Sequence, residues 1–239
     1  MAADGPTDGV EPAVARASNS ASEPDGRADP GAGVRSGLLL DWGGVMTGNL
    51  LASFRAFCQT EGLDPNALAG IFRENPEARE LLFGFEEGRI EEAEFETGLG
   101  QLLGVASAEG LIDRLFSGSV PEDSMVHAVR VARAGGIKTG LISNSWGTHR
   151  YPRKLLAELF DGVVISGEVG VRKPTLRIYE LGAQAIGTDP GECVFVDDLP
   201  FNLPPAQELG MAVVHHTGAD TTIGELELLL GTPLRKGTS

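Results

Sequence analysis

The sequence has few cysteines and no long apolar run. Cys58 and Cys193 lie far apart, and neither is part of a CxxC motif or a His-rich stretch, so neither a disulfide framework nor a zinc site is indicated. No apolar run approaches the roughly 18 residues that a membrane span requires, and no basic segment followed by an apolar one opens the chain. We therefore expect two buried, reduced thiols, no membrane partner and a cytoplasmic location.

Basic residues are also scarce. The chain of 239 residues carries 19 lysines and arginines against 34 aspartates and glutamates, which gives a net charge of -15 at pH 7. This excess repels nucleic acid phosphates and anionic membrane surfaces, so nucleic acid is not expected as a partner. The hydrophobic fraction of 41% suffices for one substantial core, or for a core with a smaller appendage.

Residues 1–36 have a composition unlike the rest of the chain. They are rich in Ala, Gly, Pro, Ser and Asp and show no apolar periodicity. Such a segment cannot bury enough apolar surface to offset the entropy of ordering. We predict a disordered N-terminal tail over this range.

From Gly37 onwards, short apolar runs alternate with helical segments. This alternation is typical of a parallel sheet that is covered on both faces. The predicted fold class is therefore α/β, with a doubly wound, Rossmann-like parallel sheet as its core. Pro121 and Pro174 are predicted to open helices. The predicted strands, each bounded by glycine or polar residues, are Leu38–Asp41, Ile137–Ser143, Val163–Ser166, Cys193–Asp197 and Ala212–His215.

The stretch of residues 49–118 contains apolar residues at helical spacings and no convincing strand. It predicts an inserted helical cap, which divides the remaining chain into an α/β core of residues 37–48 and 119–239. An insertion between the first two strands would lie over the carboxyl ends of the sheet, where open α/β folds bind ligands. Two polar segments are interpreted as solvent-facing, namely the charged run Glu86–Glu94 and the loop His149–Tyr151.

Acidic residues stand at the ends of two predicted strands. Asp41 closes the first strand, and Asp197 and Asp198 close the fourth. If these strands are neighbours, three carboxylates meet at one sheet edge, where their mutual repulsion favours a bound cation. Oxygen ligands without His or Cys indicate Mg²⁺. For a single aspartate at such a junction, a helix cap or a turn is an equally good interpretation.

Glycine and polar residues at the same predicted edge add to this pattern. Gly43 and Gly44 follow the first strand and would allow the backbone to approach a metal ion or a phosphate. Ser143 and Asn144 end the second strand, where a hydroxyl, an amide and nearby N–H groups can cradle a phosphate. Lys173 follows the third strand and can neutralise a carboxylate or a phosphate. Taken singly, each of these residues is also explained as part of a loop.

Together these residues resemble the four ordered motifs of the haloacid dehalogenase superfamily, most of whose members are phosphatases. The resemblance extends from Leu38 to Leu230. The run from Val194 to Met211 looks especially like the N-terminal phosphatase domain of soluble epoxide hydrolases. The predicted helical insertion matches the cap of the family. The four motifs are Asp41 with its glycine turn, Ser143-Asn144, Lys173-Pro174 and Asp197-Asp198.

The resemblance implies an enzyme that hydrolyses a small phosphorylated metabolite. Asp41 would attack phosphorus and become a transient aspartyl phosphate, while Ser143 and Lys173 hold the oxygens of the transferring group. Asn144 would contact the substrate. The family therefore implies catalytic roles for Asp41, Ser143 and Lys173 in this chain.

The resemblance also implies a magnesium cofactor. The ion would be held by Asp41, the Gly43 carbonyl and Asp198, with Asp197 either a ligand or directly behind the ligands. Asn202 would order this loop.

One position departs from the family pattern. Most family phosphatases carry a second aspartate two residues after the nucleophile, where it protonates the leaving oxygen, and this chain has Gly43 there. Without that acid the rate for a poor alkoxide leaving group falls by about 10²–10⁴, so acyl, aryl or anomeric sugar phosphates are expected to be favoured. Two alternatives stay open: a dehalogenase, which uses the same nucleophile without Mg²⁺, and a catalytically degenerate member that serves as a binding or scaffold module.

Overall fold

The computed structural model describes residues 33–235. Most of the predicted N-terminal tail, residues 1–32, lies outside this range. The backbone N–H groups of Arg35 and Ser36 donate to the carbonyl oxygens of Leu229 and Glu192, at 2.9 and 3.1 Å. These two residues, which the sequence placed in the tail, therefore belong to the folded part of the chain.

The core is a five-stranded sheet in the order β3-β2-β1-β4-β5. All four strand pairings are parallel, which confirms the predicted fold class. The strands are β1 (Gly37–Leu40), β2 (Lys138–Ser143), β3 (Gly162–Ile165), β4 (Cys193–Asp197) and β5 (Ala212–His215). The helices are α1 (Leu50–Thr60), α2 (Ala67–Glu74), α3 (Pro76–Glu86), α4 (Glu92–Leu103), α5 (Leu111–Leu115), α6 (Asp123–Ala134), α7 (Arg153–Leu159), α8 (Ser166–Val169), α9 (Leu176–Ala185), α10 (Leu203–Glu208) and α11 (Ala219–Leu230).

The central strand β1 is buried on both faces. Leu38 and Leu40 pack into one apolar layer, which α6, α7 and α11 cover, while Leu39 packs into the opposite layer with α9 and α10. A strand that is buried on both sides reads as a continuous apolar run, which is why the sequence signal for β1 was clear.

Within residues 33–235, both cysteines are buried and free, as predicted, and no helix is long and apolar enough to cross a membrane.

Two predicted strands end one residue too late. Strand β1 ends at Leu40, because the chain turns at the following glycines, although the Asp41 N–H still donates to the Val196 carbonyl at 2.9 Å. Strand β3 ends at Ile165, and Ser166 already begins α8. Element boundaries are the feature that sequence patterning locates least well.

Both proline-opened helices begin later than predicted. Helix α6 begins at Asp123, with the Glu122 side chain accepting a hydrogen bond from Ser124 N–H, while Pro121 forms an isolated bridge with Thr47. Helix α9 begins at Leu176, because Thr175 is still in an extended conformation, with a ψ of 131°.

Helices α1–α5 form an insertion between β1 and β2 that has its own apolar core. Trp146, from the loop after β2, packs its ring against Phe54 and Phe95, with ring centroids 5.6 and 5.5 Å away. The insertion is therefore anchored on the sheet by a core residue. The predicted cap boundaries at residues 49 and 118 stay a prediction. The buried residues of this cluster are Phe57, Cys58, Leu68, Phe85, Phe95, Leu99, Leu111, Ile112 and Leu115.

A second anchor lies at the turn between α3 and α4. Gly88 has a φ of +70°, and a Cβ there would lie 2.6 Å from the Gly167 carbonyl oxygen. Only glycine tolerates both the left-handed backbone and this close approach. Nearby, the Ser166 hydroxyl donates to the Glu86 carbonyl at 2.5 Å. The end of α3 therefore sits directly on α8, beside the carboxyl ends of β2 and β3.

Candidate active site

The three predicted carboxylates converge at the carboxyl ends of β1 and β4. Leu40 pairs with Val196 in the sheet register, so Asp41 and Asp197 stand side by side. Ligand oxygens of Asp41, Asp197 and Asp198 lie within 4.8 Å of one another. The strand order reverses at β1, and in open α/β sheets such a switch point forms the ligand-binding crevice.

Lys173 lies between two of these carboxylates. Its Nζ is 2.9 Å from Asp41 Oδ1 and 2.6 Å from Asp197 Oδ2, and only 1% of the residue is exposed. Burial lowers the pKa of Lys173, but Asp197 and Asp41 outweigh burial and hold the net pKa above its usual value. The lysine is therefore a permanent cation at the floor of the site.

Asp197 is engaged by protein donors on both of its oxygens. Its Oδ1 accepts hydrogen bonds from Leu199 N–H and Asn202 Nδ2, each at 2.9 Å, while Oδ2 accepts from Lys173. The Tyr179 hydroxyl in turn donates to the Asn202 carbonyl at 2.7 Å. Asn202 thus joins Asp197 to Tyr179, and its predicted role in ordering this loop stays a prediction. Because both of its oxygens are held in this way, Asp197 is a fixed partner for the Lys173 ammonium.

Asp198 faces the glycine turn after β1. A Cβ on Gly44 would lie 2.3 Å from Asp198 Oδ2, and the Gly44 φ of +78° also favours glycine. Burial raises the pKa of Asp198 to about 6, with a further rise from Asp197. The carboxylate of Asp198 therefore lies against the backbone at Gly44, close to the predicted Gly43 ligand.

Asp41 has one oxygen that is held and one that is not. Its Oδ1 accepts from Trp42 N–H at 2.7 Å and pairs with Lys173, whereas Oδ2 has no partner within residues 33–235. Burial raises the pKa of Asp41 to about 7, while Lys173 opposes and Asp197 and Asp198 add to the rise. Because three carboxylates face one ammonium, the cluster is short of positive charge, and this oxygen-only ligand set fits Mg²⁺.

Ser143 and Asn144 lie at the same edge of the sheet. The Asn144 side chain holds the backbone of Lys173: its Oδ1 accepts from Lys173 N–H at 2.8 Å, and its Nδ2 donates to the Lys173 carbonyl at 3.1 Å. Nδ2 also donates to Glu86 Oε2 at 3.2 Å. Both amide hydrogens are thus in use, and the predicted contact of Asn144 with substrate stays a prediction.

Glu86 was missed, because the interpretation of Glu86–Glu94 as a solvent-facing run is wrong at its first residue. Glu86 is 5% exposed, and its Oε2 pairs with Arg172 Nε at 2.5 Å. Burial raises the pKa of Glu86, and Arg172 only partly offsets this rise. The available signal was spacing: Glu86 lies four residues after Leu82 and eight after Ala78, on the inward face of α3.

The interpretation of His149–Tyr151 as a surface loop is wrong for Tyr151, which is 8% exposed. Its hydroxyl lies 2.9 Å from Ser143 Oγ. The preceding residue, Arg150, binds both carboxylate oxygens of Glu92, at 2.5 and 2.8 Å, and also pairs with Asp113 at 2.7 Å. Arg150 therefore ties this loop to the helical insertion. Neither contact has a local sequence signal.

A cavity of about 900 Å³ lies between the insertion and the strand ends. Asp41, Ser143 and Lys173 line its charged end. Leu51 and Phe201 line it as well and are 50% and 58% exposed, which places apolar side chains where it opens to solvent. The remaining wall is largely aromatic and aliphatic, with Leu50, Phe54, Phe72, Leu82, Phe116 and Trp146.

Residues 36–210 match the haloacid dehalogenase-like hydrolase family. The chain belongs to this family of hydrolases. The match spans most of the chain and includes every one of the four motifs, so the resemblance predicted from the sequence is confirmed.

Two proteins of known name are similar in sequence to this hydrolase. It is 32% identical over 135 residues to bifunctional epoxide hydrolase 2 of Sus scrofa, covering 54% of this chain and 24% of that protein. It is 31% identical over 152 residues to sesquiterpene phosphatase astK of Aspergillus oryzae, covering 62% of this chain and 78% of that protein. The chain thus spans about a quarter of the length of the epoxide hydrolase.

A solved structure shares the fold. It is an Asp-to-Ala mutant of a haloacid dehalogenase family enzyme from Bacteroides thetaiotaomicron, in complex with magnesium and inorganic phosphate. The TM-score is 0.55 and the identity 25%, over 77% of this chain and 94% of that one. Magnesium binding is therefore found within the family of this hydrolase.

The carboxylate cluster predicts a stability that depends on pH and on Mg²⁺. Because the folded carboxyls of Asp41 and Asp198 titrate at about 7 and about 6, the folded metal-free protein binds more protons than the unfolded chain above about pH 4. Its free energy of unfolding therefore falls as the pH rises from about 4 to about 7. Mg²⁺ needs ionised ligands, so its stabilising effect should grow over the same window.

Calorimetric unfolding with Mg²⁺ or with EDTA tests this prediction. At about pH 8, Mg²⁺ at a hundredfold excess over its Kd should add about 2.7 kcal/mol to the free energy of unfolding, and at about pH 5 much less. In Asp198→Asn this gain should largely disappear, whereas the exposed Asp123→Asn should keep it. An equal gain at both pH values, or an undiminished gain in Asp198→Asn, would contradict the assignment.

Proposed function

We propose that this hydrolase is a Mg²⁺-dependent phosphatase that works through an aspartyl phosphate on Asp41. The observation that carries the proposal is the arrangement of Asp41 beside Lys173, with Oδ1 held by two donors and Oδ2 without a partner among the described residues. A carboxylate held in this way is oriented for nucleophilic attack. The phosphatase name of one relative and the magnesium and phosphate in a related structure support the same chemistry.

The proposed reaction consists of two displacements. Asp41 forms a bond to phosphorus as the bond from phosphorus to the leaving oxygen breaks, and the electron pair departs with that oxygen. Lys173 and the Ser143 hydroxyl stabilise the charge on the transferring group. Water then attacks the phosphorus of the acyl phosphate, which releases inorganic phosphate and restores the carboxylate. Mg²⁺, held by Asp41, Asp198 and the Gly43 carbonyl, would supply further charge neutralisation.

The lack of an acid at Gly43 supports a preference for good leaving groups. A Cβ on Gly43 would lie 2.6 Å from Leu50 Cδ1, so an apolar side chain occupies the space that a side chain at this position would need. The departing oxygen therefore has no carboxylic acid beside it from this position. Aryl and acyl phosphates, whose leaving oxygens need little protonation, suit such a site.

The apolar wall of the cavity supports a substrate with an apolar body. The Phe54, Phe72 and Phe116 rings line the space beside the charged floor, and half-exposed Leu51 and Phe201 continue it toward solvent. Burial of apolar substrate surface there would contribute about 25 cal/mol per Å². Together with the leaving-group argument, this favours apolar aryl or acyl phosphates. In this proposal the helical insertion, residues 49–118, is the cap that selects these substrates. It would act together with the α/β core of residues 37–48 and 119–239.

Replacement of Asp41 tests the nucleophile. We expect Asp41→Asn to lower Mg²⁺-dependent phosphate release from acetyl phosphate and p-nitrophenyl phosphate by about 10³-fold or more, and EDTA to abolish it. The exposed Asp123→Asn is the matched control and should keep wild-type turnover. Activity that survives in Asp41→Asn would contradict the proposal. Metal-independent halide release from 2-haloacids would indicate a dehalogenase, and no turnover of any kind would favour a binding module.

A leaving-group series tests the consequence of Gly43. From aryl to alkyl phosphates, kcat/KM should fall by about 10²–10⁴ beyond the fall in an enzyme that has a general acid. Gly43→Asp combined with Leu50→Ala, which opens the required space, should recover part of the alkyl phosphate rate. Gly43→Asn with Leu50→Ala has the same shape and no acid, so it should not. A wild-type rate that is flat across leaving-group pKa would refute the preference.

A series of 4-alkylphenyl phosphates tests the apolar wall, because the alkyl chain changes length while the leaving-group pKa stays nearly constant. We expect kcat/KM to rise about two- to fourfold per methylene until the cavity is filled. Phe116→Asn should flatten the rise, whereas Val120→Asn, which is exposed and outside the cavity, should not. No rise with chain length would contradict an apolar substrate.

A further inference from the structure

Tyr151 forms a buried hydrogen bond with one of the proposed catalytic residues. Its hydroxyl oxygen lies 2.9 Å from Ser143 Oγ, and the two residues are 8% and 2% exposed. Both line the cavity. Within residues 33–235, the only other hydrogen bond of the Ser143 hydroxyl is a long one, 3.5 Å to the Asn144 carbonyl.

The direction of this hydrogen bond follows from the available acceptors. If Ser143 donated to Tyr151, the phenol proton would have no acceptor among the described residues, and a buried unsatisfied donor costs about 1–3 kcal/mol. If Tyr151 donates, both hydroxyl protons have an acceptor, because the Ser143 proton can point to the Asn144 carbonyl or to a bound ligand. Burial also raises the pKa of Tyr151 well above its usual range, so the phenol keeps its proton.

The surroundings hold the Tyr151 ring in place. The ring lies 6.3 Å from the ring of Trp42, the residue after the nucleophile, and the Arg153 guanidinium lies 5.8 Å from its centre. Arg150, next to Tyr151 in the chain, is held by Glu92 and Asp113 of the insertion. Contacts with the core and with the insertion therefore hold the Tyr151 ring in the position from which its hydroxyl reaches Ser143.

We propose that Tyr151 is a positioning residue that donates to Ser143 Oγ and so directs the Ser143 proton toward the transferring phosphoryl group. This inference rests on the proposed phosphatase function and deepens it. Without the phenol, a lone pair of Ser143 Oγ loses its donor and the hydroxyl is free to rotate. The long contact to Asn144 is easily given up, so a bound phosphoryl oxygen becomes the best acceptor of the directed proton.

A double-mutant cycle tests the proposal. We expect Tyr151→Phe to lower kcat about tenfold with little change in KM, because the directed donor acts on the developing charge. In a Ser143→Ala background, the same substitution should change kcat by less than about twofold, because Tyr151 then has no hydroxyl to orient. Thr139→Val is the matched control: it removes another buried hydroxyl of β2, which donates to the Leu159 carbonyl, and should leave kcat unchanged.

A second readout separates this proposal from the phosphatase assignment. Calorimetric titration with orthovanadate in the presence of Mg²⁺ should show weaker binding in Tyr151→Phe than in wild type, and no such difference between Ser143→Ala and the double mutant. Coupled vanadate binding without wild-type turnover would uphold the positioning role and reject the phosphatase. Additive effects of the two substitutions, or a Tyr151→Phe variant with wild-type kcat and vanadate affinity, would overturn the positioning role.

Discussion

The buried bridge of Lys173 between Asp41 and Asp197 is the contact on which the site depends. Each charge of this bridge lies in a place where, alone, it would be strongly disfavoured, and removal of one partner from a buried pair costs about 3–5 kcal/mol. The bridge also joins three parts of the chain that are remote in sequence: the end of β1, the loop before α9 and the end of β4. Its lysine orients one oxygen of Asp41, and its carboxylates keep the lysine charged.

The insertion is attached to the core at two places, one next to Lys173 of this bridge and one next to Tyr151. Arg172, which pairs with Glu86 of α3, directly precedes Lys173, and Arg150, which pairs with Glu92 of α4, directly precedes Tyr151. Because neighbouring residues share a backbone, displacement of the insertion would disturb the positions of both Lys173 and Tyr151. The position of the insertion and the geometry of the site therefore depend on the same contacts. This is expected because the cavity lies between the insertion and the strand ends.

The cavity combines a charged floor, which includes Asp41 and Lys173, with walls that are largely apolar. Low-dielectric walls strengthen the electrostatic interaction of Asp41 with Lys173 and of both with any charged group bound beside them. They also raise the pKa values of Asp41 and Asp198, so this burial makes the metal-free cluster less stable when it is ionised. Leu50 continues the apolar wall up to Gly43. Gly44 is required there because Asp198 leaves no room for a side chain.

Sequence alone determined the α/β fold, the five strands and the position of Asp41 and of Asp197 and Asp198 at strand ends, because β1 and β4 are buried on both faces and read as apolar runs. Tertiary structure decided that β1 and β4 are neighbours, so that the three carboxylates converge. Tertiary structure alone decided the partners of these residues. Glu86 is buried by a contact with Arg172, 86 residues away, and Tyr151 by packing against Trp42. The polar neighbours of both residues in the sequence predicted exposure to solvent. A local pattern could not predict their burial, because the groups that pair with them come from distant parts of the chain.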